Sequence, residues 1–509
     1  VDLLLESILS KYDDGAHSDS KESMCVKRFC ESEELCLHTN NRFRSRDPLD
    51  YKIDERAPWS ILGRAAQIIS KILGDFDVTQ ARERSTFTGG ASTRLRRRYG
   101  HPAYKYSGSP ETTFDNLHEA TTLISESELW IKEGQVENLI VVRGNKVVSV
   151  AKNYKTNRMI AIEPEMNMYV QKGIGSLIRE RLRKAGVDLN DQTTNQDLAL
   201  FGAKTGLCAT IDLSMASDTV SFELVRYLLP SDWWFALVAS RSSMGVLKLP
   251  GGVSEEISYE KFSSMGNGYT FELESLIFYG LCLAVAEAHQ VSARLINVYG
   301  DDIIVPTIIA QQTCDILQFA GFVVNTTKSY FSGRFRESCG KHYFQGNDVT
   351  PFFVKRKVDR LSELLKLHNK LYRWVNRVQG YMDTTPCRRV LQWLRSLAPV
   401  EWQGRFVPDG YGDGAFLGTF DQAVPRLVAP AYLRKKGWEG YVVKVLSFED
   451  ELIYPTEYAF TRVPGLLVYI LSRRRFIFLT QLGDESPFRG IPTGTQRARV
   501  RNLLVPHFP

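Results

Sequence analysis

No apolar run in these 509 residues reaches the roughly 18 that a membrane-crossing helix needs, and the stretch Leu466–Leu471 ends against Arg473, Arg474 and Arg475. A helical span is therefore not expected. Cysteine is sparse: there are eight, none in a Cys-x-x-Cys pair. Cys25, Cys30, Cys36 and His38 cluster near the start, but without the paired spacing of zinc ligands, so the expectation is reduced thiols in a cytosolic setting. No export signal, internal repeat or long low-complexity linker is visible, which points to interleaved subdomains. Gly340-Lys341-His342 lacks the Ser or Thr of a phosphate-binding loop and Gly333 lies too far upstream, so no helicase is indicated. The net charge is only +6. Any contact with nucleic acid must come from local placement of cations. Hydrophobic residues make up 43% of the chain, enough to bury a core across several subdomains.

What is present is carboxylate in tight turns. Ile296-Asn297-Val298-Tyr299-Gly300-Asp301-Asp302-Ile303-Ile304-Val305 sets two adjacent acids between two strand-forming runs, and Gly300 suits the turn. A solvated hairpin tip is one reading, since Asp is common in turns; a holder of Mg²⁺ is the other, since hard oxygen ligands suit that ion. Upstream, the apolar run Ala209-Thr210-Ile211 ends in Asp212 and continues as Leu213-Ser214-Met215-Ala216-Ser217-Asp218. A strand there, laid beside the hairpin, would bring Asp212 to Asp301 and Asp302, three acids for two divalent ions about 4 Å apart. Between them, Ser263 to Glu274 is a small-residue loop opening a mostly apolar helical stretch to about Ala288. That loop reads either as an ordinary turn before a core helix or as a contact with a nucleotide or backbone.

The order Asp212 to Asp218, then Ser264-x-Gly266-x-x-x-Thr270, then Tyr299-Gly300-Asp301-Asp302 resembles motifs A, B and C of RNA-dependent RNA polymerases. More specifically, Asp212–Asp218, Ser264–Ser275 and Phe335-Arg336-Glu337-Ser338-Cys339-Gly340 resemble the replicase β chain of small positive-strand RNA bacteriophages, Q-beta-type members above all. The resemblance runs from about Phe87-Thr88-Gly89-Gly90 to Pro408–Gly414. It implies an α+β right-hand polymerase with fingers, palm and thumb and an antiparallel palm sheet carrying the acids. Residues 1–90 would pack with the fingers, 91–206 would form the fingers, 207–355 the palm and 356–509 the thumb and C-terminal region. Within the palm we expect a helix over Cys314–Ala320 and a last strand over Phe322–Asn325. The thumb segments Leu361–Leu367 and Leu371–Val375 have helical spacing.

The same resemblance implies the site. Asp212, Asp301 and Asp302 would hold two Mg²⁺ ions, with Mn²⁺ as a substitute. Lys152, Lys155 and Arg158, in a strand-like hairpin, would be motif F over the triphosphate of the incoming nucleotide, a solvated hairpin being the alternative. Asp218, Ser264, Thr270 and Glu274 would surround the sugar, with Gly266 in the same loop; Ser217 competes with Asp218 for its place, because the acid stands six positions after Asp212. Lys328 resembles the motif D lysine that protonates departing pyrophosphate, an exposed structural lysine being its alternative. Arg94, Arg96, Arg97 and Arg98, interleaved with aromatics, read either as a single-stranded RNA track or as a solvated loop; Arg473–Arg475 and Arg497, Arg499 and Arg501 invite the same two readings. Tyr411-Gly412-Asp413-Gly414 lacks a second Asp and reads as a loop.

The expected activity is template-directed transfer of nucleotides from NTPs to a growing RNA 3′ end, replicating a single-stranded RNA phage genome in the bacterial cytoplasm. By resemblance the partners would be the RNA template, host elongation factors Tu and Ts and a host ribosomal protein. A reverse transcriptase is the nearest rival, but it places an aromatic gate where this chain has Ser214 to Ser217. A catalytically inactive RNA-binding subunit is the other. The start at Val1 without a Met leads us to expect further N-terminal sequence in the natural product.

Overall fold

A long helix buried on all sides organises the larger of two units. In the computed structural model, residues 15–348 form one unit and residues 1–14 with 349–509 the other. The structure describes residues 2–12, 18–46, 54–106, 108–127, 130, 138–153, 156–248, 254–355, 357–378, 380, 383–423, 426–427, 441–449 and 497–505. Lys155, Leu466–Leu471 and Arg473–Arg475 lie outside them.

The elements that position the site are, in chain order, α1 (Ser18–Arg44), α2 (Pro58–Leu73), β1 (Asn145–Ala151), β2 (Asn157–Ile162), α3 (Glu165–Lys184), α4 (Thr193–Thr205), β3 (Cys208–Ile211), β4 (Leu213–Ser214), β5 (Met244–Lys248), β6 (Ser254–Ser258), α5 (Thr270–Ala288), β7 (Asn297–Tyr299), β8 (Asp302–Pro306), α6 (Ala310–Phe319), β9 (Val323–Val324), β10 (Phe335–Ser338) and β11 (Lys341–Phe344). The buried helix is α5, whose Leu273, Leu276, Ile277, Phe278, Leu281 and Val285 are all fully buried. Apolar residues all round a helix leave it nowhere to sit but a core. It packs with α2 and α3 in one large cluster that also takes in Ile211, Val298, Ile303 and Val305 of the strands.

Those strands form a three-stranded antiparallel sheet in the order β3-β8-β7. Ile303 lies opposite Ile211 and Val298, and Asp302 opposite Tyr299. The hairpin read from the sequence is therefore real, and the strand ending at Asp212 is its neighbour. The helix expected over Cys314–Ala320 begins four residues earlier, at Ala310, and the strand expected over Phe322–Asn325 shortens to Val323–Val324, paired with β4. Asn325 leaves the ladder because its amide and side chain turn to Asp212 instead.

A second sheet runs β2-β1-β5-β6. Asn145–Val147 pair in parallel with Gly245–Leu247, so a hairpin from within the span 207–355 joins the hairpin carrying Lys152 and Arg158. Linear order hides this pairing, because about a hundred residues separate the two hairpins. The loop before α5 is tied to the same sheet: the Ala161 amide donates to the Met265 carbonyl at 2.8 Å. Gly266 sits there with φ of 112°, and a Cβ would stand 2.2 Å from the Ala161 carbonyl oxygen. The backbone that this glycine admits is the chain's own.

In the other unit, the two patches of helical spacing are one helix, Leu361–Val378, whose Leu364, Leu365, Trp374 and Val375 are buried. Tyr411–Gly414 is a loop, with Asp413 accepting hydrogen bonds from Asn369 and Arg373. Arg497, Arg499 and Arg501 lie on the strand Arg497–Val505, which pairs along its length with Tyr441–Glu449.

Gly266→Ala is expected to destabilise the protein by about 1–3 kcal/mol, from left-handed strain plus displacement of β2. A fall in the urea midpoint with unchanged slope checks it; an unaltered midpoint would mean that the loop moves freely off the sheet.

Candidate active site

Ladder register, not sequence proximity, assembles the acids. Asp212 follows Ile211 directly, and Ile211 is opposite Ile303, so Asp212 comes level with the turn that carries Asp301 and Asp302. Gly300 makes that turn with φ of 60° under Phe271, and its amide donates to Ser275 Oγ at 3.0 Å. The hairpin tip is thereby fastened to α5.

The three acids differ in their surroundings. Asp212 Oδ2 accepts from Asn325 Nδ2 at 2.7 Å, while its amide donates to Ser329 Oγ at 3.1 Å and its carbonyl accepts from the Asn325 amide at 2.9 Å. Burial pushes its carboxyl above the ordinary range and Asp301 adds to the push, against the opposing pull of Lys328. Asp302 turns toward the β10–β11 hairpin, where Oδ1 accepts from the Cys339 amide at 3.0 Å and from Ser338 Oγ at 3.3 Å. Burial raises it to about 6, with Asp301 and Asp212 contributing. Asp212 and Asp301 line one cavity of about 720 Å³, and Asp302 is not part of its wall. Convergence of three carboxylates on one point was the expectation; among the described residues no group of three or more His, Cys, Asp or Glu side chains is placed to hold a metal ion by itself.

The cavity gathers most of the other expected residues. Lys152, Arg158, Ser217, Asp218, Gly266, Thr270, Glu274 and Lys328 all line it. Desolvation lowers the pKa of Lys152, and the neighbouring charges of Arg158 and Lys328 lower it further. Ser217 Oγ donates to Glu274 Oε2 at 2.7 Å, and Asp218 Oδ1 accepts from Lys261 Nζ at 3.1 Å. Both rivals for the same place are thus at the cavity, each with its own partner. Thr270 Oγ1 donates to the Ser264 carbonyl at 3.0 Å; Ser264 Oγ is buried with no hydrogen-bond partner and does not itself reach the cavity wall.

The arginine cluster divides. Arg94 is drawn inward onto buried Glu165, with Nε 3.0 Å from both carboxylate oxygens. This ion pair explains why Arg94 does not share the exposure of Arg96, Arg97 and Arg98. Arg98 lies over the Tyr99 ring, 4.8 Å from its centroid.

Residues 1–460 match the family described as RNA replicase, beta-chain. The chain belongs to that family. The RNA-directed RNA polymerase subunit beta of Escherichia virus Qbeta is 39% identical over 502 residues, 98% of this chain and 80% of that protein. That of Enterobacteria phage SP is 40% identical over 472 residues, 89% and 79% of the two chains. The β chain of Escherichia phage MS2 is 42% identical over 323 residues, 63% and 58% respectively. This replicase chain is an RNA-directed RNA polymerase of single-stranded RNA phages, as the Q-beta-type motifs led us to expect. Among solved structures, the RNA-dependent RNA polymerase of BmCPV at its elongation state matches at low global similarity, with a TM-score of 0.40 and 12% identity over 67% of this chain and 33% of that one.

Sequence reasoning missed several residues that line the replicase cavity or hold the acids on its wall. Arg28 on α1 lines it beside Phe29, although nothing in the pattern of an N-terminal charged helix marks one cation among many. Asn325 and Ser329, which hold Asp212, were visible only as polar residues near Lys328. Lys261 was hidden by its place in an ordinary charged stretch, Tyr259-Glu260-Lys261.

Glu274 is nearly fully buried, and burial raises its carboxyl to about 8, with Asp301, Asp218 and Glu272 adding to the rise and Ser217 opposing it. A carboxyl whose folded pKa lies above its unfolded one favours folding below about pH 4.5, and that contribution is lost as pH rises towards about 8. Glu274→Gln, which retains an acceptor for Ser217, is expected to flatten this loss. Thermal melts of the metal-free protein should show the variant gaining on the parent between pH 4.5 and 8 and not below; parallel curves would show that Glu274 ionises freely.

Proposed function

We propose that the cavity is the nucleotidyl-transfer centre, copying a single-stranded RNA template by joining NTPs to the growing 3′ end. The observation that carries this reading is the meeting of Asp212 and Asp301 with Lys152, Arg158 and Lys328 around one opening. These two acids and three cations, among the charged groups lining one space, suit a ligand that brings both phosphate and metal.

The donor set fits Mg²⁺. That ion keeps several waters and takes one or two carboxylates together with substrate phosphates, so it needs no closed protein cage. Asp212 and Asp301 would hold it, with Asp302 beside them; two such ions, or Mn²⁺ in their place, would when bound lower the pKa of the attacking hydroxyl and neutralise charge on the leaving group. The chain's own residues position the reactants. Lys152 and Arg158 receive the triphosphate, a point charge beside a planar fork; burial first, and then the neighbouring charges of Arg158 and Lys328, lower the pKa of Lys152. Lys155 completes the motif by resemblance. Lys328, on the wall of the same cavity, would give a proton to the pyrophosphate oxygen. Ser217, Asp218 and Glu274 meet the ribose hydroxyls, and Ser264 and Thr270 shape the loop beneath; a polar site of this kind rejects a sugar that leaves its groups unpaired. Fingers, palm and thumb are the corresponding roles of residues 91–206, 207–355 and 356–509, with 1–90 supporting the fingers.

Arg96, Arg97 and Arg98 serve as the template track, while Arg94 buttresses it through Glu165. Assembly with host elongation factors Tu and Ts and a ribosomal protein, in the bacterial cytoplasm, is supported by the relation to Q-beta-type replicases. No helix among the described residues is long and apolar enough to cross a membrane.

Asp301→Asn should reduce incorporation at least about a hundredfold while template affinity and thermal stability stay near the parent's, since a lost metal ligand raises the chemical barrier. Single-turnover incorporation in Mg²⁺ tests this, and near-normal turnover would overturn the assignment. Replacing Arg96, Arg97 and Arg98 together by Ala should leave the saturating single-turnover rate intact. The log affinity against log salt slope should shallow by about 0.7 per lost phosphate contact, and an unchanged slope would make these arginines a solvated loop.

A further inference from the structure

The side chain of Lys261 is wholly buried, yet it bears an ammonium. Its Nζ lies 3.1 Å from Asp218 Oδ1 and 3.1 Å from Glu33 Oε1, and 3.6 Å from the centre of the Phe29 ring. Glu33 and Phe29 belong to α1, far from Asp218 in sequence. Glu33 holds the lysine from a second side, since its Oε2 accepts from the backbone amides of Glu260 at 2.8 Å and Lys261 at 3.3 Å. The sulfur of buried Cys36, one turn further along α1, lies 3.5 Å from the Asp218 carbonyl. A buried cation is stable only with its charge matched and its hydrogens placed. Here the carboxylates of Asp218 and Glu33 match the charge, Nζ donates to Asp218 Oδ1 and the Phe29 ring faces it, and only one of those carboxylates, Asp218, lines the cavity.

We propose that Lys261, anchored by Glu33 of α1, is a positioning residue for sugar selection: it fixes one oxygen of the Asp218 carboxylate so that the other faces the ribose hydroxyls of the incoming nucleoside triphosphate. The proposal rests on the placing of Asp218 at the ribose given above. An unanchored Asp218 would be free to turn away from the like charge of Asp301 across the cavity, and a hydrogen-bonding site that loses its orientation loses discrimination before it loses chemistry. The N-terminal helix thereby becomes part of the specificity element.

The test compares kcat/KM for matched ribo- and deoxyribonucleoside triphosphates in the full chain carrying Lys261→Met, Asp218→Asn, or both. Lys261→Met is expected to lower the ribo-over-deoxy ratio about tenfold, chiefly through KM for the ribonucleotide, and the double variant should lose no more than Asp218→Asn alone, because the two act as one unit. If Asp218→Asn lowers the ratio and Lys261→Met does not, the inference fails while the reading of Asp218 stands. If Asp218→Asn leaves the ratio unchanged, the reading of Asp218 falls and this inference with it. A fall in both substrates by one common factor would make Lys261 a purely structural residue and also overturn the proposal. Should Lys261→Met not fold, Glu33→Ala decides: releasing the outer anchor should lower the ratio about threefold, and an unchanged ratio overturns the proposal.

Discussion

The pairing of β3 with β8 is the constraint on which the rest depends. Both strands are buried along their lengths, Ile211 and Ile303 in the cluster around α5 and Cys208 and Ile304 against α4, so a slip by one residue would exchange side chains fitted to two different cores. That register is what delivers Asp212 to the turn bearing Asp301 and Asp302. Bringing carboxylates together at the end of a buried sheet opposes folding, as the raised pKa values of Asp212 and Asp302 show; the surrounding core, centred on α5, is large enough to hold the arrangement in place. The strain of the site is thus carried by packing that takes no part in chemistry.

Around this centre, Asp212, Asp302, the Gly300 turn and Asp218 are each steadied by a different element. Asn325 holds Asp212, the β10–β11 turn holds Asp302, α5 fastens the Gly300 turn through Ser275, and α1 reaches Asp218 through Lys261. Four separate stretches of chain therefore converge on the acids. Such cross-bracing is how side chains keep a catalytic geometry to within a fraction of an ångström. The cations differ: burial depresses the pKa of Lys152, and the nearby charges of Arg158 and Lys328 add to the fall, an arrangement that an anionic ligand would relieve.

Much of this was legible in the residues. Alternating and β-branched flanks foretold the Asp301–Asp302 hairpin, the all-round apolar stretch foretold α5, and motif order carried the family. Residues whose chemistry is local, such as Asp212 or Gly300, are readable because a strand end or a turn leaves its mark within a few neighbours. The division among the arginines was not legible, since Arg94 and Arg96 look alike until Glu165 claims one of them. Nor were the hydrogen bonds that Asp302 accepts from Ser338 and the Cys339 amide, whose donors stand well beyond its sequence neighbours.

The sequence by itself determined which chemical groups the site possesses, the strands and helix that carry them, and the family to which the chain belongs, because periodicity and turn chemistry are short-range properties. Only the tertiary structure decided which of those groups share a cavity, that the 244–258 hairpin joins the sheet of Lys152 and Arg158, and that Lys261 serves Asp218. These outcomes rest on pairings between residues tens to hundreds of positions apart. Such pairings are selected by the burial of the whole core and the matching of buried charge, and neither leaves a local trace.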